Sequence, residues 1–204
     1  MRIDTITVGE MGVNCYVLSS KITKNAILID PGDDYPRIRA LLAQQKLKPQ
    51  FIVHTHGHID HIGADNEFNL PAYAHRLDVE LLRDPQRNLS NFLSVPFKVE
   101  LDIRPVEDLE IITLDDLNLQ VIHTPGHTPG GICLKSGKVV FTGDTLFAGG
   151  IGRTDFPGAS EEQLLKSIQD KLLNIADETV IYPGHGPAST IGKERKTNPF
   201  LCKS

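Results

Sequence analysis

The stretch Thr55-His56-Gly57-His58-Ile59-Asp60-His61 sets three imidazoles and a carboxylate within six residues, directly after the apolar run Phe51-Ile52-Val53. A short run of aromatic and β-branched residues bounded by polar ones reads as a buried strand. The histidines therefore stand where a strand leaves its sheet. In extended backbone side chains alternate with period two, so His56 and His58 share a face, and Gly57 keeps bulk from between their rings. Asp60 and His61 lie at the entry to a helix predicted over 59–68 and point to a neighbouring position. Imidazole and carboxylate at this density is metal-ligand chemistry; a solvated polar loop rarely collects four such groups.

Outward from this cluster the pattern alternates strands with helices. Residues 2–8, 13–19 and 25–29 read as strands closed by Asp30-Pro31-Gly32, and 35–46 reads as an amphipathic helix carrying Ile38, Leu41 and Leu42. After the histidines, 75–82 reads as helix and 83–97, rich in Pro, Asn and Ser, as a loop. Residues 117–122, 131–134 and 139–141 read as strands, the last two joined by the turn Ser136-Gly137-Lys138. Ser160 caps a helix bearing Leu164, Leu165, Ile168, Leu172 and Leu173, and 179–182 is a final strand. Strands then helices, twice over, predict an α+β arrangement of two sheets packed face to face with helices outside, and no linker divides the chain.

Composition narrows the function classes. The chain has 204 residues, 40% of them hydrophobic, and 21 Lys+Arg against 26 Asp+Glu give a net charge of −5. A chain of this length buries roughly 70% of the surface its unfolded form exposes. Its mildly acidic balance offers no electrostatic reason to expect nucleic acid or an anionic membrane as partner. Apolar runs such as Ala26-Ile27-Leu28-Ile29 fall far short of the ~20 residues of a membrane span. Three cysteines and no charged-then-apolar leader predict a reducing, cytoplasmic location, with Cys15 and Cys133 as core residues and Cys202 in the tail.

Three further ligand candidates follow predicted strands: His127, Asp144 and His185. With the first cluster they make five His and two Asp, enough for two sets of three sharing one carboxylate. His54 and His123 read as hydrogen-bonded structural histidines, and His75 as a surface residue. Asp30 reads either as a partner orienting the ligand loop or as a turn residue before Pro31. Lys193-Glu194-Arg195-Lys196 reads as a solvated helix face, and Asn88-Leu89-Ser90-Asn91 as turn formers or a pocket border.

Taken in order, His56-x-His58-x-Asp60-His61, the run ending Thr124-Pro125-Gly126-His127, Thr142-Gly143-Asp144, Gly149-Gly150-Ile151-Gly152-Arg153-Thr154-Asp155-Phe156, and Gly184-His185-Gly186-Pro187 through Thr197-Asn198-Pro199-Phe200 carry a resemblance. The chain resembles the metallo-β-lactamase fold superfamily over essentially its whole length, and within it the short glyoxalase II-like (hydroxyacylglutathione hydrolase-like) metallohydrolases. The resemblance implies a four-layer αββα sandwich of two mixed sheets, one domain over residues 1–204, without the C-terminal helical extension of long glyoxalase II. It implies His56, His58 and His127 on a first metal, Asp60, His61 and His185 on a second, and Asp144 bridging. Such a set suits two divalent ions, Zn²⁺ foremost and Fe or Mn besides.

The implied activity is hydrolysis of a small thioester, such as S-lactoylglutathione, by a hydroxide held between the metals and oriented by Asp60. Arg153 is the candidate for binding a substrate carboxylate. The Gly-Arg-Thr-Asp-Phe element is also similar to that of persulfide dioxygenases in the superfamily, which use one Fe(II) on the first-site ligands; this is the alternative reading. RNA-processing nucleases of the superfamily stand third, since an added basic arm would be expected for them. Asp144, in place of the Cys or Ser of antibiotic-hydrolysing relatives, argues against a β-lactamase. The expected partner is a small thioester, with neither nucleic acid nor membrane.

Overall fold

Every residue of strand β2 (Val13–Ser19) is buried, so this strand requires a covering layer on each face. Its alternation sorts the side chains: Cys15 and Val17 pack with Leu28, Ile38, Leu42 and Ile52, whereas Tyr16 and Leu18 pack with Ile27, Ile29, Phe51 and Val53. The computed structural model describes residues 1–93 and 95–202; position 94 of the predicted 83–97 loop and positions 203–204 of the predicted domain lie outside the described residues.

Strand β2 pairs antiparallel with β1 (Arg2–Val8) and β3 (Asn25–Ile29), and the sheet continues in parallel through β4 (Lys48–Val53), β5 (Ala72–His75) and β6 (Ile103–Val106). The second sheet has the order β14 (Ser189–Thr190), β13 (Val180–Pro183), β10 (Val139–Gly143), β9 (Ile132–Ser136), β8 (Leu117–His123), β7 (Ile111–Leu114). Its pairs are antiparallel except β10 with β13. Both sheets are thus mixed. A ribbon of β11 (Leu146–Phe147) and β12 (Gly150–Ile151) stands apart from them.

Three apolar clusters fill the spaces between four layers. Ile38 and Leu42 of α1 (Tyr35–Gln45), Ile62 of α2 (Ile59–Ile62), Phe68 of α3 (Asp65–Phe68) and Leu82 of α4 (Val79–Arg83) cover the outer face of the first sheet. Leu164 of α5 (Glu161–Ser167), Ile168 and Leu172 of its wider-wound continuation, and Ile191 of α6 (Ile191–Thr197) cover the second. Between the sheets Leu119, Val121, Leu134 and Phe141 meet Tyr16, Ile29 and Val53. This is the αββα sandwich expected from the sequence. Cys15 and Cys133 are core residues as expected, and burial pushes the Cys133 thiol up to about 11.

Several local expectations are corrected. The 59–68 helix is two single turns, because the chain breaks at Gly63 and Ala64 to meet the 31–32 turn, where Ala64 N–H donates to the Pro31 carbonyl (3.0 Å). The predicted 75–82 helix begins as strand: His75 ends β5 and pairs with Val106 before the chain turns into α4. His75 is therefore buried, stacked at 3.8 Å on His123, not a surface residue. Glu194 and Arg195 depart from the solvated face. Glu194 is buried under Ser189 and Gly149, and Arg195 reaches the Leu173 and Ile175 carbonyls and Asp177. No helix among the described residues is long and apolar enough to cross a membrane.

Phe141 is fully buried between the sheets, edge-on to Tyr16 (5.1 Å) and stacked on Tyr182 (5.5 Å). Phe141→Ala is expected to cost about 3–5 kcal/mol, lowering the urea midpoint with an unchanged slope when followed by circular dichroism. A loss below about 1 kcal/mol would show that this layer does not hold the sheets together.

Candidate metal centre

The centre is built from the loops that follow β4, β8, β10 and β13. Beyond β4, Thr55 is fixed from three sides. Its N–H and hydroxyl donate to the two oxygens of Asp30 (2.8 and 2.6 Å), and its carbonyl accepts from Ile132 N–H of β9 in the other sheet (2.8 Å). Asp30 has φ 50, a left-handed conformation that Asp tolerates better than most residues, and its backbone carbonyl closes the turn to Gly32 N–H (2.8 Å). Asp30 thus orients the ligand loop; the alternative of a turn-stabilising Asx side chain does not hold, because its carboxylate is spent on Thr55 and His61 and the turn is closed by backbone.

Gly57 is small for a different reason than ring crowding. A Cβ there would run into Leu81 and Leu82 of α4, and the Gly57 N–H donates to Asp78 Oδ2 (3.1 Å). Asp78, fully buried, also accepts from Thr128 Oγ1 (2.8 Å) and Gly130 N–H (2.7 Å), so one carboxylate joins the 56–58 loop to the loop carrying His127. Sequence reasoning missed it. The available signal was an acidic residue between Leu77 and Val79, on the apolar side of a predicted helix.

His185 is placed across the sandwich by β2. Asn14 donates from its backbone to the Gly184 carbonyl (2.7 Å) and from Nδ2 to those of Pro183 (3.1 Å) and Gly186 (2.8 Å). A Cβ on Gly184 would collide with the Asp144 carboxylate and the His61 ring, so only glycine allows these groups to converge.

All seven predicted ligands come together. His58 Nδ1 lies 2.9 Å from His127 Nε2, which is 3.2 Å from His56 Nε2. Two nitrogens held at about 2.0–2.1 Å from one ion at a tetrahedral angle stand about 3.3 Å apart, so this spacing suits a metal. In the second set Asp60 Oδ2 is 3.3 Å from His185 Nε2 and 3.7 Å from His61 Nε2. Asp144 stands between the sets, with Oδ1 3.3 Å from His61 Nε2 and Oδ2 3.7 Å from His127 Nε2 and 3.6 Å from His185 Nε2.

The donor set fits a cation on two further counts. His61 Nε2 and Asp144 Oδ1 are buried and make no hydrogen bond within the described residues. Four of the five far ring nitrogens are engaged: His56 Nδ1 at Thr55 Oγ1 (3.2 Å), His61 Nδ1 at Asp30 (3.0 Å), His127 Nδ1 at the Arg153 carbonyl (2.7 Å) and His185 Nδ1 at the Met11 carbonyl (3.2 Å). Such partners fix the tautomer that turns the Nε2 lone pair inward.

The two halves differ in charge. Burial, with the nearby imidazoles, keeps His56 well below the usual imidazole range and His58 down at about 3, so both are neutral. Burial resists ionisation of Asp144, but His61 and His127 outweigh it and hold its carboxyl well below the usual range. Burial is likewise overcome at Asp60, by His61 and the His185 hydrogen bond. At His61 burial opposes protonation, and the carboxylates of Asp60, Asp144 and Asp30 raise it well above the usual range. Neutral His56 and His58 thus stand on one side, and on the other the ionised carboxylates of Asp60 and Asp144 surround His61.

The remaining candidates fall outside the ligand set. Buried His54 has Nε2 2.9 Å from Asp65 Oδ2, and His123 Nε2 donates to the Pro129 carbonyl (2.9 Å), both structural as expected. Arg153 sits at the rim, exposed, with Nε and Nη2 on the oxygens of Asp155 (3.0 and 2.7 Å) and its guanidinium 4.4 Å over the Phe156 ring. Asn88 and Ser90 are turn formers, buried in bonds to the Phe97 backbone, while Leu89 beside them lines a cavity of about 600 Å³ over the centre.

Comparison with known proteins agrees with this architecture. The metallo-beta-lactamase superfamily model matches residues 8–185. A Haemophilus influenzae protein named hydroxyacylglutathione hydrolase GloC is 37% identical, over 98% of each chain. The solved structure of BLEG-1, a B3 metallo-beta-lactamase, matches with a TM-score of 0.92 at 37% identity, over 98% of this chain and 100% of its own. That of TTHA1623 in a di-iron-bound form matches with a TM-score of 0.85 at 37% identity, over 97% of this chain and 100% of its own. With the family model spanning every one of the seven clustered side chains, the chain belongs to the metallo-β-lactamase superfamily and is one of its metallo-hydrolases.

Proposed function

We propose that the chain hydrolyses small thioesters as a binuclear metallohydrolase of the glyoxalase II type. The observation that carries this reading is Asp144, whose two oxygens face both three-residue sets at 3.3–3.7 Å. His56, His58 and His127 would hold one divalent ion and Asp60, His61 and His185 the other. Zn²⁺ suits the imidazole and carboxylate donors, and the di-iron form of TTHA1623 supports Fe as an occupant. When bound, such ions supply a hydroxide at neutral pH and draw charge from a carbonyl oxygen.

The protein's own groups do the rest. Asp60 borders the cavity and is held ionised, so its carboxylate would accept a hydrogen bond from the nucleophile and orient it. Thr55, Asp30 and Asp78 act through the ligand loops, holding the imidazoles in one orientation before substrate arrives. Phe156, whose ring lies 5.3 Å from that of His58, walls the cavity and limits water around the scissile bond. The name of the GloC relative supports a thioester as substrate.

Protein stripped of metal and refilled anaerobically with Zn²⁺, Mn²⁺ or Fe²⁺ is expected to release thiol from S-D-lactoylglutathione or a simple acyl thioester only when loaded. The expected kcat/KM is at or above ~10⁴ M⁻¹s⁻¹. Oxygen uptake with glutathione persulfide and no thiol release would favour the iron dioxygenase instead. Nitrocefin cleavage in place of thioester cleavage would favour the chemistry named for BLEG-1.

Asp60→Ala should lower turnover by about 10²–10⁴-fold, and near-normal turnover would remove Asp60 from its role. Asp78→Ala, which touches no ligand side chain, should weaken metal retention by about 10–100-fold in a chelator competition. Unchanged retention would reduce Asp78 to a loop fastener.

A further inference from the structure

We infer that the substrate carries an apolar, uncharged arm laid along a hydrophobic track leading away from the metal centre; this rests on the thioesterase reading above. Two cavities flank the centre. One, of about 600 Å³, lies over it, and a second, of about 320 Å³, adjoins the first through Met11, Ile59, Asp60 and Leu93. Phe92, Phe147 and Phe156 wall the first, and Val8, Val13 and Phe97 wall the second. Met11 and Leu93 line both, Phe92 the first and Val95 the second, and these four are exposed by 49%, 50%, 77% and 65%. Clustered apolar side chains left open to water mark a binding surface.

The exposure is held in place by buried polar groups. Asn88 Nδ2 donates to the Phe97 carbonyl (2.8 Å), Phe97 N–H donates to Ser90 Oγ (2.9 Å), and Ile59 N–H donates to the Asn88 carbonyl (2.8 Å). These bonds tie Asn88 to the ligand loop and to Phe97, beside exposed Phe92 and Leu93. Asn88, Ser90 and Phe97 are therefore fastened beside the ligand loop.

Charge gives an anionic carrier little to hold within these two cavities. Apart from the ligand histidines, Arg153 is the one cationic side chain among the described residues lining either cavity. Asp155 engages it through two bonds and Phe156 covers a face. The second cavity carries Glu10 and Asp33. A carrier with two carboxylates, such as glutathione, meets no free cation there, whereas a hydrocarbon arm meets Met11, Phe92 and Leu93.

The test uses the metal-loaded protein and two series of thioesters. In one, N-acetylcysteamine carries acetyl, butanoyl, hexanoyl or octanoyl groups; in the other, acetyl thioesters are made from ethane-, butane- and hexanethiol. In at least one series kcat/KM is expected to rise by about two- to fourfold per added methylene. S-hexanoylglutathione should gain nothing over the N-acetylcysteamine ester. Phe92→Ala, a change at a side chain 77% exposed, should flatten the rise.

In parallel, calorimetry measures binding of the unreactive S-hexyl and S-methyl thioethers of N-acetylcysteamine, with the hexyl compound expected to bind at least tenfold tighter and to lose that margin in Phe92→Ala. Flat series with equal thioether binding, or a marked preference for the glutathione ester, would overturn the inference. Tight hexyl binding without turnover of any thioester would uphold the apolar track and overturn the thioesterase reading instead.

Discussion

Seven side chains turn lone pairs toward one small volume, and the rest of the molecule is arranged to bear that convergence. Imidazole nitrogens 2.9–3.2 Å apart repel when their lone pairs face one another, unless a proton or a metal ion lies between them, and burial removes the water that would soften the repulsion. A free loop would relax by turning a ring outward. Here it cannot, because four of the five rings are held at their far nitrogens by Thr55, Asp30 and the carbonyls of Arg153 and Met11. The arrangement is preorganised by folding.

That requirement explains the joints between layers. The sheets touch chiefly through side chains, yet at the metal end they are stitched by backbone: Ile132 N–H to the Thr55 carbonyl (2.8 Å), and Asn14 N–H to the Gly184 carbonyl (2.7 Å). Asp78 adds a third stitch, between the loops after β4 and β8. Each lies within three residues of a ligand. Apolar packing fixes distances between layers only to the tolerance of side-chain rotamers, whereas a coordination set needs positions good to a few tenths of an ångström. Hydrogen bonds with defined direction supply the difference.

The ligands were legible in the sequence because their chemistry is local and peculiar: His56 to His61 announce themselves, and His127, Asp144 and His185 each follow a strand with a readable period. The layers were legible for the same reason, through the alternation in β1 and the spacing of Leu164, Ile168 and Leu172. Strands β5 and β6 were not. Each is four residues long, β6 contains Pro105, and their order comes from parallel pairing over long separations, which leaves no periodic trace. His75 was misplaced because its stacking partner, His123, is 48 positions away. Asp78 and Glu194 looked like ordinary helix charges, since burial of an acidic group is decided by what folds over it.

The segment from Phe147 to Phe156 joins the two levels of the site. Buried Glu194 accepts from Gly149 N–H (2.7 Å), and Asn198 Nδ2 donates to the Gly150 carbonyl (3.1 Å), so α6 and the residue after it anchor the segment. At its other end the Arg153 carbonyl holds His127, while the Arg153 side chain closes on Asp155 and Phe156 at the cavity rim. Main chain sets the ligand, and side chains shape the pocket. Substitutions at the Phe147, Arg153, Asp155 and Phe156 side chains can therefore alter what the cavity admits with the His127 bond intact, because that bond is made by backbone atoms every residue possesses. Shifting the backbone itself, by loss of the Glu194 anchor, disturbs the metal centre and the pocket together. Chemistry and specificity are separable in this chain wherever the supporting contact is main chain, and coupled wherever it is a buried carboxylate.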